Sequence, residues 1–393
     1  MKILSVNCGS SSLKFKMYEM PEENVLISGL FERIGEKASE YTIKLEGDKY
    51  SKEVELPNHK VAFEILVDEL KKNHIIKNLN EIKGVGHRIV QGGDYFDKTV
   101  IADDDAVAKI DELAALAPLH NKAAITGINA AKEVIPDAIE TVVFDTAFHQ
   151  TIEPVNYMYA VPYEWYEKYK IRKYGAHGTS HKYIASRLND LLGRTNTKLI
   201  TCHIGSGASV SAIRDGVCID TSMGLTPNAG LIMGTRCGDI DTSILTYMMQ
   251  KENISPKEMD TILNKKSGLI GISGVSNDSR DIEDGITKGN ERCVLAQKMY
   301  VQKIIDYIAM YYFELEGVDA IAFSAGVGEN SIRTRTDIME GLKVLGIIPD
   351  YEANNCRGEE VLVTTPESAV PCYVVPTDEE IMIARDAYNL VNR

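Results

Sequence analysis

The sequence has few cysteines and no arrangement of them that would build a disulfide framework. Only seven occur among 393 residues, and none forms a C-x-x-C pair. Small secreted domains carry an even, regularly spaced set, and structural zinc sites use paired cysteines. The pattern disfavours both classes, and the reducing cytoplasm is the expected location.

Long apolar stretches are also lacking. No apolar run approaches the roughly 18 residues that a membrane helix requires. The N-terminus, Met-Lys followed by a short apolar segment, has neither the basic start nor the long apolar core of a signal peptide. We therefore expect a protein that neither spans a membrane nor enters the secretory route.

Positive charge is in deficit. The chain has 43 Lys and Arg against 57 Asp and Glu, a formal net charge of −14. A nucleic-acid surface needs clustered cations that replace the counterions of the phosphates, so nucleic acid is not an expected partner. A local cationic pocket for a small anion is compatible with this charge.

What the sequence does contain is a regular alternation of strand and helix patterns. Short apolar segments alternate with amphipathic ones, which predicts an α/β protein, and the length predicts two or three domains. The predicted strands are 2–6, 13–18, 82–90, 141–144, 198–204, 208–213, 318–323 and 372–375. The predicted helices are 61–72, 103–117 and one that begins near 380.

A strand, a small-residue turn and a returning strand occur twice, around residues 7–12 and again around 205–207. Two similar halves are one interpretation, and coincidental similarity between two hairpins is the other. The first interpretation predicts an N-terminal domain at 1–150 and a C-terminal domain at 151–380. A final helix at about 381–393 would pack back on the first domain.

Three turns rich in Gly and Ser follow predicted strands, at 7–12, 205–207 and 326–331. Such turns expose backbone N–H groups that suit phosphate oxygens, although Gly and Ser are also ordinary turn formers. None matches G-x-x-x-x-G-K-[ST] or the full G-x-G-x-x-G spacing, which disfavours a P-loop or dinucleotide site. Three of them together favour a nucleotide, and Lys14 follows the first.

Two arginines are candidate anion ligands. Arg88 ends an apolar strand among glycines, and Arg236 follows a stretch, 221–235, that contains no charged residue. Guanidinium groups bind carboxylates and phosphates bidentately. For Arg236 the alternative is a structural ion pair with Asp239 or Asp241.

Histidines and carboxylates complete the candidates. His177 is flanked by small residues that leave room for a ligand, and the spacing to His181 lacks the third ligand of a zinc site. Asp145 and Glu379 follow predicted strands, where carboxylates of α/β proteins face a ligand and suit Mg²⁺. The alternatives are a helix cap for Asp145 and a solvated helix turn for Glu379.

Together these segments resemble the acetate kinase family, of the acetate and sugar kinase/Hsp70/actin superfamily, from end to end. Asn7 stands where sugar kinases and actin-like ATPases carry Asp. The motifs that carry the resemblance are 6–14 (VNCGSSSLK), 86–88 (GHR), 116–121 (LAPLHN), 144–150 (FDTAFHQ), 177–181 (HGTSH), 220–224 (DTSMG), 234–236 (GTR), 325–331 (AGVGENS) and 376–380 (PTDEE).

The resemblance implies two ribonuclease-H-like domains with a cleft between them, and a homodimer. It implies reversible, direct in-line phosphoryl transfer between ATP and acetate, with Mg²⁺ (or Mn²⁺) as the metal. It implies Asn7 and Glu379 at the metal and a catalytic set of Asp145, His177 and Arg236. The implied acid site is Arg88, Val90, Leu119, His120 and Pro227. The implied nucleotide site is Ser10, Ser12, Lys14, His203, Gly205, Ser206, Gly207, Asp278, Ser279, Arg280, Gly326, Val327, Gly328, Glu329 and Asn330.

Three departures from the family pattern keep alternatives open. Ser206 and Ser279 replace an Asn and a Phe on the nucleotide side, which leaves pyrophosphate as a possible donor. Ala176 replaces a Phe that walls the methyl pocket, which leaves propionate or butyrate as possible acids. A nucleotide-gated binding module without acyl transfer is a third alternative, but it would give Arg88, His177 and Arg236 no purpose.

Overall fold

A computed structural model describes residues 1–117 and 120–393 of the chain. The described residues divide into two compact units. Unit 1 comprises Met1–Gln150 and Asp378–Arg393, and unit 2 comprises Thr151–Thr377. The C-terminal segment that begins at Asp378 therefore belongs to unit 1, although it follows unit 2 in the sequence.

The strands of both units are mostly short and buried on at least one face. In chain order they are β1 (Lys2–Cys8), β2 (Ser12–Glu19), β3 (Asn24–Glu32), β4 (Glu40–Leu45), β5 (Asp48–Glu53), β6 (Ile82–Ile89), β7 (Val100–Ile101), β8 (Ile139–Phe144), β9 (Lys198–Ile204), β10 (Ala208–Arg214), β11 (Val217–Thr221), β12 (Ala320–Ser324), β13 (Val361–Leu362) and β14 (Cys372–Val374).

The helices connect the strands or cover the sheets. In chain order they are α1 (His59–Lys72), α2 (Asp104–Glu112), α3 (Asn121–Val134), α4 (Pro154–Tyr157), α5 (Tyr163–Tyr169), α6 (Gly178–Leu192), α7 (Ser243–Glu252), α8 (Pro256–Lys265), α9 (Gly268–Ser273), α10 (Ser279–Thr287), α11 (Glu291–Glu314), α12 (Ala325–Asn330), α13 (Ile332–Gly341) and α14 (Glu379–Val391). None in the described parts of the chain combines the length and apolarity needed to cross a membrane.

Each unit is built on one mixed sheet, and the two sheets share a strand order. The described strands run β5-β4-β3-β2-β1-β6-β8-β7 in unit 1 and β11-β10-β9-β12-β14-β13 in unit 2. In each, an antiparallel hairpin is followed by two strands parallel to its first strand. The predicted α/β class is confirmed, and the repeated order supports the interpretation of two similar halves.

Helix α14 lies on the sheet of unit 1 because two residues of β6 have no side chain. A Cβ built at Gly86 would lie 2.6 Å from Cγ2 of Ile383, and one built at Gly84 would lie 2.8 Å from Cγ2 of Val391. Asp378 caps the helix by accepting a hydrogen bond from the Ile381 N–H at 3.2 Å. The cap therefore fixes where the helix begins, and the two glycines allow the helix to pack closely on β6.

Two segments differ from the sequence prediction. Residues 326–331 are predicted as a turn, but residues 326–330 belong to helix α12. The helix forms because Gly328 packs against Phe323 and its carbonyl accepts a hydrogen bond from Arg335 at 3.0 Å. These tertiary contacts outweigh the low helix propensity of glycine. The helix predicted at 103–117 ends earlier, at Glu112, and continues as a 3-10 turn.

Candidate active site

Unit 1 brings Asn7 and Arg88 to one corner of its sheet. They lie at the carboxyl ends of β1 and β6, which run parallel and pair up to Val6 and His87. Gly86 faces α14, so the alternation along the strand directs Arg88 toward the same face. Glu379 is the first residue of α14, and its Oε2 lies 3.8 Å from Nε of Arg88.

The Asp145 carboxylate binds two nitrogens of the Arg88 guanidinium. Nε and Nη2 of Arg88 donate to the Asp145 carboxylate at distances of 2.6 to 3.1 Å, and Asp145 is almost fully buried just beyond β8. Burial acts to lower the pKa of Arg88, but the carboxylates of Asp145 and Glu379 outweigh it and raise the pKa. Among residues 1–117 and 120–393, Nη1 of Arg88 has no hydrogen-bond partner. One edge of a permanently charged guanidinium therefore remains for an anion.

Lys14, a candidate phosphate ligand, forms an ion pair with a residue of α14 in this structure. Its Nζ pairs with Glu380, and Lys16 pairs with Asp378 at 3.0 Å and with Glu380 at 3.5 Å. Burial acts to raise the pKa of Glu380, but the two ammonium groups lower it below its ordinary value. In this structure both lysines help to attach α14 to β2.

The other candidates of unit 1 lie around the first turn and before α3. Ser10 is exposed and Ser12 is partly buried, and the turn is closed by a hydrogen bond from Gly9 N–H to the Ser12 carbonyl at 2.9 Å. Val90 is partly buried, and His120 is exposed at the start of α3. Leu119 lies outside the described residues.

In unit 2, His177 precedes α6 with a left-handed backbone (φ of 64°). This conformation is uncommon for a residue with a side chain and frequently marks functional sites. Its Nδ1 lies 2.8 Å from Ser209 Oγ, and its ring stacks on that of His203 with centroids 4.0 Å apart. His203 Nδ1 in turn lies 2.7 Å from Ser180 Oγ.

The side chains of His177 and Arg236 both lie close to Gly207, the last residue before β10. A Cβ built there would lie 3.4 Å from Nη2 of Arg236 and 3.5 Å from Nε2 of His177. Because glycine has no Cβ, the backbone leaves a small space that both nitrogen-bearing groups border. Two nitrogen groups beside one space can bind an oxyanion.

The ion-pair interpretation of Arg236 is wrong. No carboxylate pairs with it in the described chain, and its Nη1 donates to the Pro227 carbonyl at 2.7 Å. Asp239 is engaged elsewhere, with Tyr307 Oη at 2.6 Å and Gly230 N at 2.7 Å. Burial alone lowers the pKa of Arg236. A partly buried cation without a counter-ion favours an anionic ligand.

A cavity of about 530 Å³ lies within unit 2. Gly205 is hydrogen-bonded to the Gly207 carbonyl at 3.0 Å, so the cavity ends near the space between His177 and Arg236. The predicted nucleotide residues that line it are Gly205, Ser206, Asp278, Ser279, Arg280, Gly326, Val327 and Asn330. The lining residues that sequence reasoning did not assign to a site are Leu269, Asn277, Glu283, Ser331 and Arg357.

Four of the predicted nucleotide residues stand behind the cavity or at its end. Glu329 Oε1 accepts hydrogen bonds from Ala325 N–H at 2.7 Å and Thr377 N–H at 3.0 Å, which joins two backbone segments. Gly328 is buried within α12, and His203 is stacked on His177. These three therefore support the cavity wall and its neighbouring histidine, while Gly207 lies at the cavity's end.

Arg280 and Arg357 bring positive charge to the cavity. Asp278 binds the Arg280 guanidinium, and these hydrogen bonds hold the pKa of Asp278 at about 2. The loop before Arg357 is fixed by the fully buried Arg335, which donates to the carbonyls of Asn354 at 2.8 Å and Cys356 at 2.9 Å. No sequence motif marks Arg357, because its place depends on that distant arginine.

Comparison with known proteins gives matches along the whole chain. The acetokinase family profile matches residues 2–385. An acetate kinase of Bacillus velezensis is 50% identical and one of Bacillus subtilis is 49% identical, each covering 99% of both chains. The crystal structure of Porphyromonas gingivalis acetate kinase matches at 43% identity and a TM-score of 0.94, and that of a propionate kinase from Francisella tularensis at 41% and 0.93, each covering 99% of both chains.

The fold and these matches define the class as an α/β kinase with ATP and ADP as co-substrates. The match extends over both units. The chain belongs to the acetokinase family.

Proposed function

We propose that this protein is an acetate kinase that transfers the γ-phosphoryl group of ATP reversibly to acetate, giving acetyl phosphate and ADP. The observation that carries the proposal is the cavity of unit 2, which ends near Arg236, a cation without a carboxylate partner in the described chain. A nucleotide in the cavity would bring its terminal phosphate to that cation. The acetate kinases that are about 50% identical support the same acceptor.

Arg88 binds the acid in this proposal. Acetate is ionised at neutral pH, so the enzyme needs no strong general base, and the difficulty is to bring one anion toward another. Asp145 orients the guanidinium through Nε and Nη2, which leaves Nη1 for the acid carboxylate. Asp145 therefore acts as a positioning residue rather than as a proton acceptor.

His177 and Arg236 stabilise the phosphoryl group during its transfer. Phosphoryl transfer passes through a loose, nearly planar group whose charge lies on its equatorial oxygens, so catalysis is mostly positioning and electrostatic stabilisation. An oxygen in the space beside Gly207 would contact both Nε2 of His177 and the guanidinium. The acetate oxygen then attacks phosphorus in line as the bond to ADP breaks, without a covalent enzyme intermediate.

Asn7 and Glu379 would hold Mg²⁺. An amide and a carboxylate oxygen are ligands that Mg²⁺ accepts, and the ion usually keeps several waters and adds phosphate oxygens, so few protein ligands suffice. When bound, the ion neutralises phosphate charge. The absence of Asp145 from this set follows from its engagement by Arg88.

The nucleotide residues divide by position in the cavity. Gly205, Ser206 and Gly326 border the end near Gly207, and a Cβ built at Gly326 would meet no atom within 4 Å. We assign this end to the phosphates and the end with Asp278, Arg280 and Asn330 to the nucleoside. Lys14 is not required at the phosphates while Glu380 holds it.

A longer acid is the second candidate function, and a specific residue favours it. Ala176 is buried and small where the family carries Phe, and a propionate kinase matches the chain over 99% of its length. Comparison of kcat/KM for acetate, propionate and butyrate decides between the acids. A strong preference for three or four carbons would overturn acetate. The same assay with pyrophosphate in place of ATP tests the donor.

Formation of acetyl phosphate from ATP and acetate, trapped as the hydroxamate, tests the proposal directly. Arg88→Ala and Arg236→Ala should each lower kcat/KM by about 10²–10³-fold, as electrostatic deletions do elsewhere. Arg333→Ala is the matched control, because Arg333 is exposed in the same unit and does not line the cavity. Full activity in Arg88→Ala would instead refute the role of Arg88 as the acid ligand, and a wild-type protein that forms no acetyl phosphate would favour a binding module.

We further propose a homodimer formed through unit 2, in the cytoplasm. Val155 and Phe313 are each more than 80% exposed, and the hydrogen bond between their neighbours Asn156 and Glu314 brings them together. Exposed apolar clusters of this kind mark interaction surfaces. Sedimentation of Phe313→Asp should show a monomer, whereas an unchanged mass would rule out this surface.

A further inference from the structure

A row of buried polar side chains connects the core of unit 2 to His177. Ser209 Oγ lies 2.8 Å from His177 Nδ1 and 2.8 Å from His181 Nε2. His181 Nδ1 lies 2.7 Å from Thr201 Oγ1. Ser209, His181 and Thr201 are completely buried. The phosphoryl-transfer chemistry described above uses only His177, the outermost member of this row.

The direction of these hydrogen bonds follows from the Thr201 hydroxyl. It has one hydrogen, and within the described chain His181 Nδ1 is the acceptor available to it. An unused buried donor costs more than an unused lone pair, so Thr201 donates to Nδ1. Neutral His181 then carries its proton on Nε2 and donates to Ser209. The single hydrogen of Ser209 remains for Nδ1 of His177.

The reverse direction leaves a group unsatisfied. If His177 donated to Ser209 and Ser209 donated to His181, Nδ1 of His181 would donate to Thr201, whose own hydrogen would have no acceptor. Arg236 borders the same space as His177, and its positive charge acts against protonation of the ring.

We propose that Thr201, His181 and Ser209 are positioning residues that hold His177 as a neutral imidazole with its proton on Nε2. His177 then donates a hydrogen bond to a phosphoryl oxygen in both directions of the reaction, and it neither accepts a proton nor carries a full charge. This inference rests on the proposed function for its catalytic consequence, but the position of the proton can be measured on the protein alone.

Nitrogen-15 NMR of the full-length protein labelled at its histidine rings measures which ring nitrogen is protonated, and His177→Gln assigns the signals. At pH 7 the proton should lie on Nε2 of His177. Thr201→Val, which replaces the hydroxyl with a methyl group of similar size, should shift this tautomer toward a mixture. It should also lower kcat by about tenfold, the equivalent of one hydrogen bond, with the KM of ATP and acetate unchanged. Ser209→Ala should lower kcat by about 10²-fold.

Ser211→Ala is the matched control. Ser211 is also completely buried on β10, but its hydroxyl pairs with Thr221 Oγ1 at 2.9 Å and makes no hydrogen bond to a histidine among the described residues. It should leave both the tautomer and kcat unchanged. A proton on Nδ1, a doubly protonated ring at pH 7, or no effect of Thr201→Val on tautomer and kcat would overturn the inference.

Failure of the inference and failure of the proposed function give different results. An Nε2 tautomer in a protein that makes no acetyl phosphate would refute the proposed function and leave the hydrogen-bond chain intact. An active kinase with His177 in the Nδ1 form would refute the chain and leave the function intact.

Discussion

Replacing Gly207 with alanine should separate the catalytic role of the space beside His177 and Arg236 from any structural role. The added methyl carbon would lie 3.4 to 3.5 Å from Arg236 and His177, which is ordinary van der Waals contact. Gly207 does not have a positive φ, so alanine fits the backbone without strain. Loss of glycine's freedom in the unfolded chain should leave stability unchanged or raise it by about 0.4–1 kcal/mol.

The effect on turnover should be large despite this. The methyl group occupies the space where an equatorial oxygen would contact both groups, and loss of one such donor costs about 10²–10³-fold in kcat. The assays are kcat from acetyl hydroxamate formation, the unfolding temperature, and the dissociation constant of ADP, which we expect to change little. A stable variant whose kcat stays within about twofold of the wild type would refute the reasoning.

Three other predictions follow from contacts in the structure. Arg88→Lys should raise the KM of acetate by more than about tenfold while the KM of ATP changes little. An ammonium group lacks the planar set of N–H donors that lets a guanidinium bind Asp145 and an acid carboxylate at the same time. Equal changes in both KM values would contradict this prediction. Arg335→Ala should lower the free energy of unfolding by about 3–5 kcal/mol in urea titrations, because two buried carbonyls and one part-buried carbonyl lose their donor. A loss below about 1 kcal/mol would disagree. Glu380→Gln should cost about 1–2 kcal/mol at pH 7, between exposed and buried ion pairs. Lys14 and Lys16 lower the pKa of Glu380 below its ordinary 4.5. The stabilisation is therefore present above pH 4.5 and disappears as the pH falls through the lowered pKa. A difference in stability between wild type and variant that does not change with pH would argue against the pairing.

The sheets could be predicted from the sequence because their signals are local. The period of two and the small-residue turns identify β1–β2 and β9–β10 from a few neighbouring residues. Arg88 and Arg236 could be recognised as anion ligands for a similar reason, since an isolated arginine among glycines and apolar residues is unusual. Their roles at the site remain predictions that the proposed experiments test.

The partners of these residues could not be predicted, because the contacts join distant parts of the chain. Asp145 and Arg88 are 57 positions apart, and Arg335 and Cys356 are 21 apart. No local pattern shows that Asp145 binds the arginine. The family resemblance places Glu329 at the nucleotide, which remains a prediction, but no local pattern shows that its carboxylate joins α12 to the segment at Thr377.

The missed residues Thr201 and Ser209 did leave a signal in the sequence. Thr201, His203, Ser209 and Ser211 are polar positions that alternate with apolar ones along a hairpin that is otherwise buried. Polar side chains inside a sheet need partners, so this alternation predicts a hydrogen-bonded layer. His177 and His181, which lie four residues apart and lack the third ligand of a zinc site, could have been assigned to that layer.

The most direct test of the account is a crystal structure with ADP, Mg²⁺, fluoroaluminate and acetate, in which the fluoroaluminate takes the place of the phosphoryl group. We expect Nη1 of Arg88 on the acetate carboxylate, and Nε2 of His177 and the Arg236 guanidinium within hydrogen-bond distance of the equatorial fluorines. A complex in which the acetate lies away from Arg88, or in which the fluoroaluminate contacts neither His177 nor Arg236, would contradict the claim that two guanidinium groups and the His177 imidazole align two repelling anions.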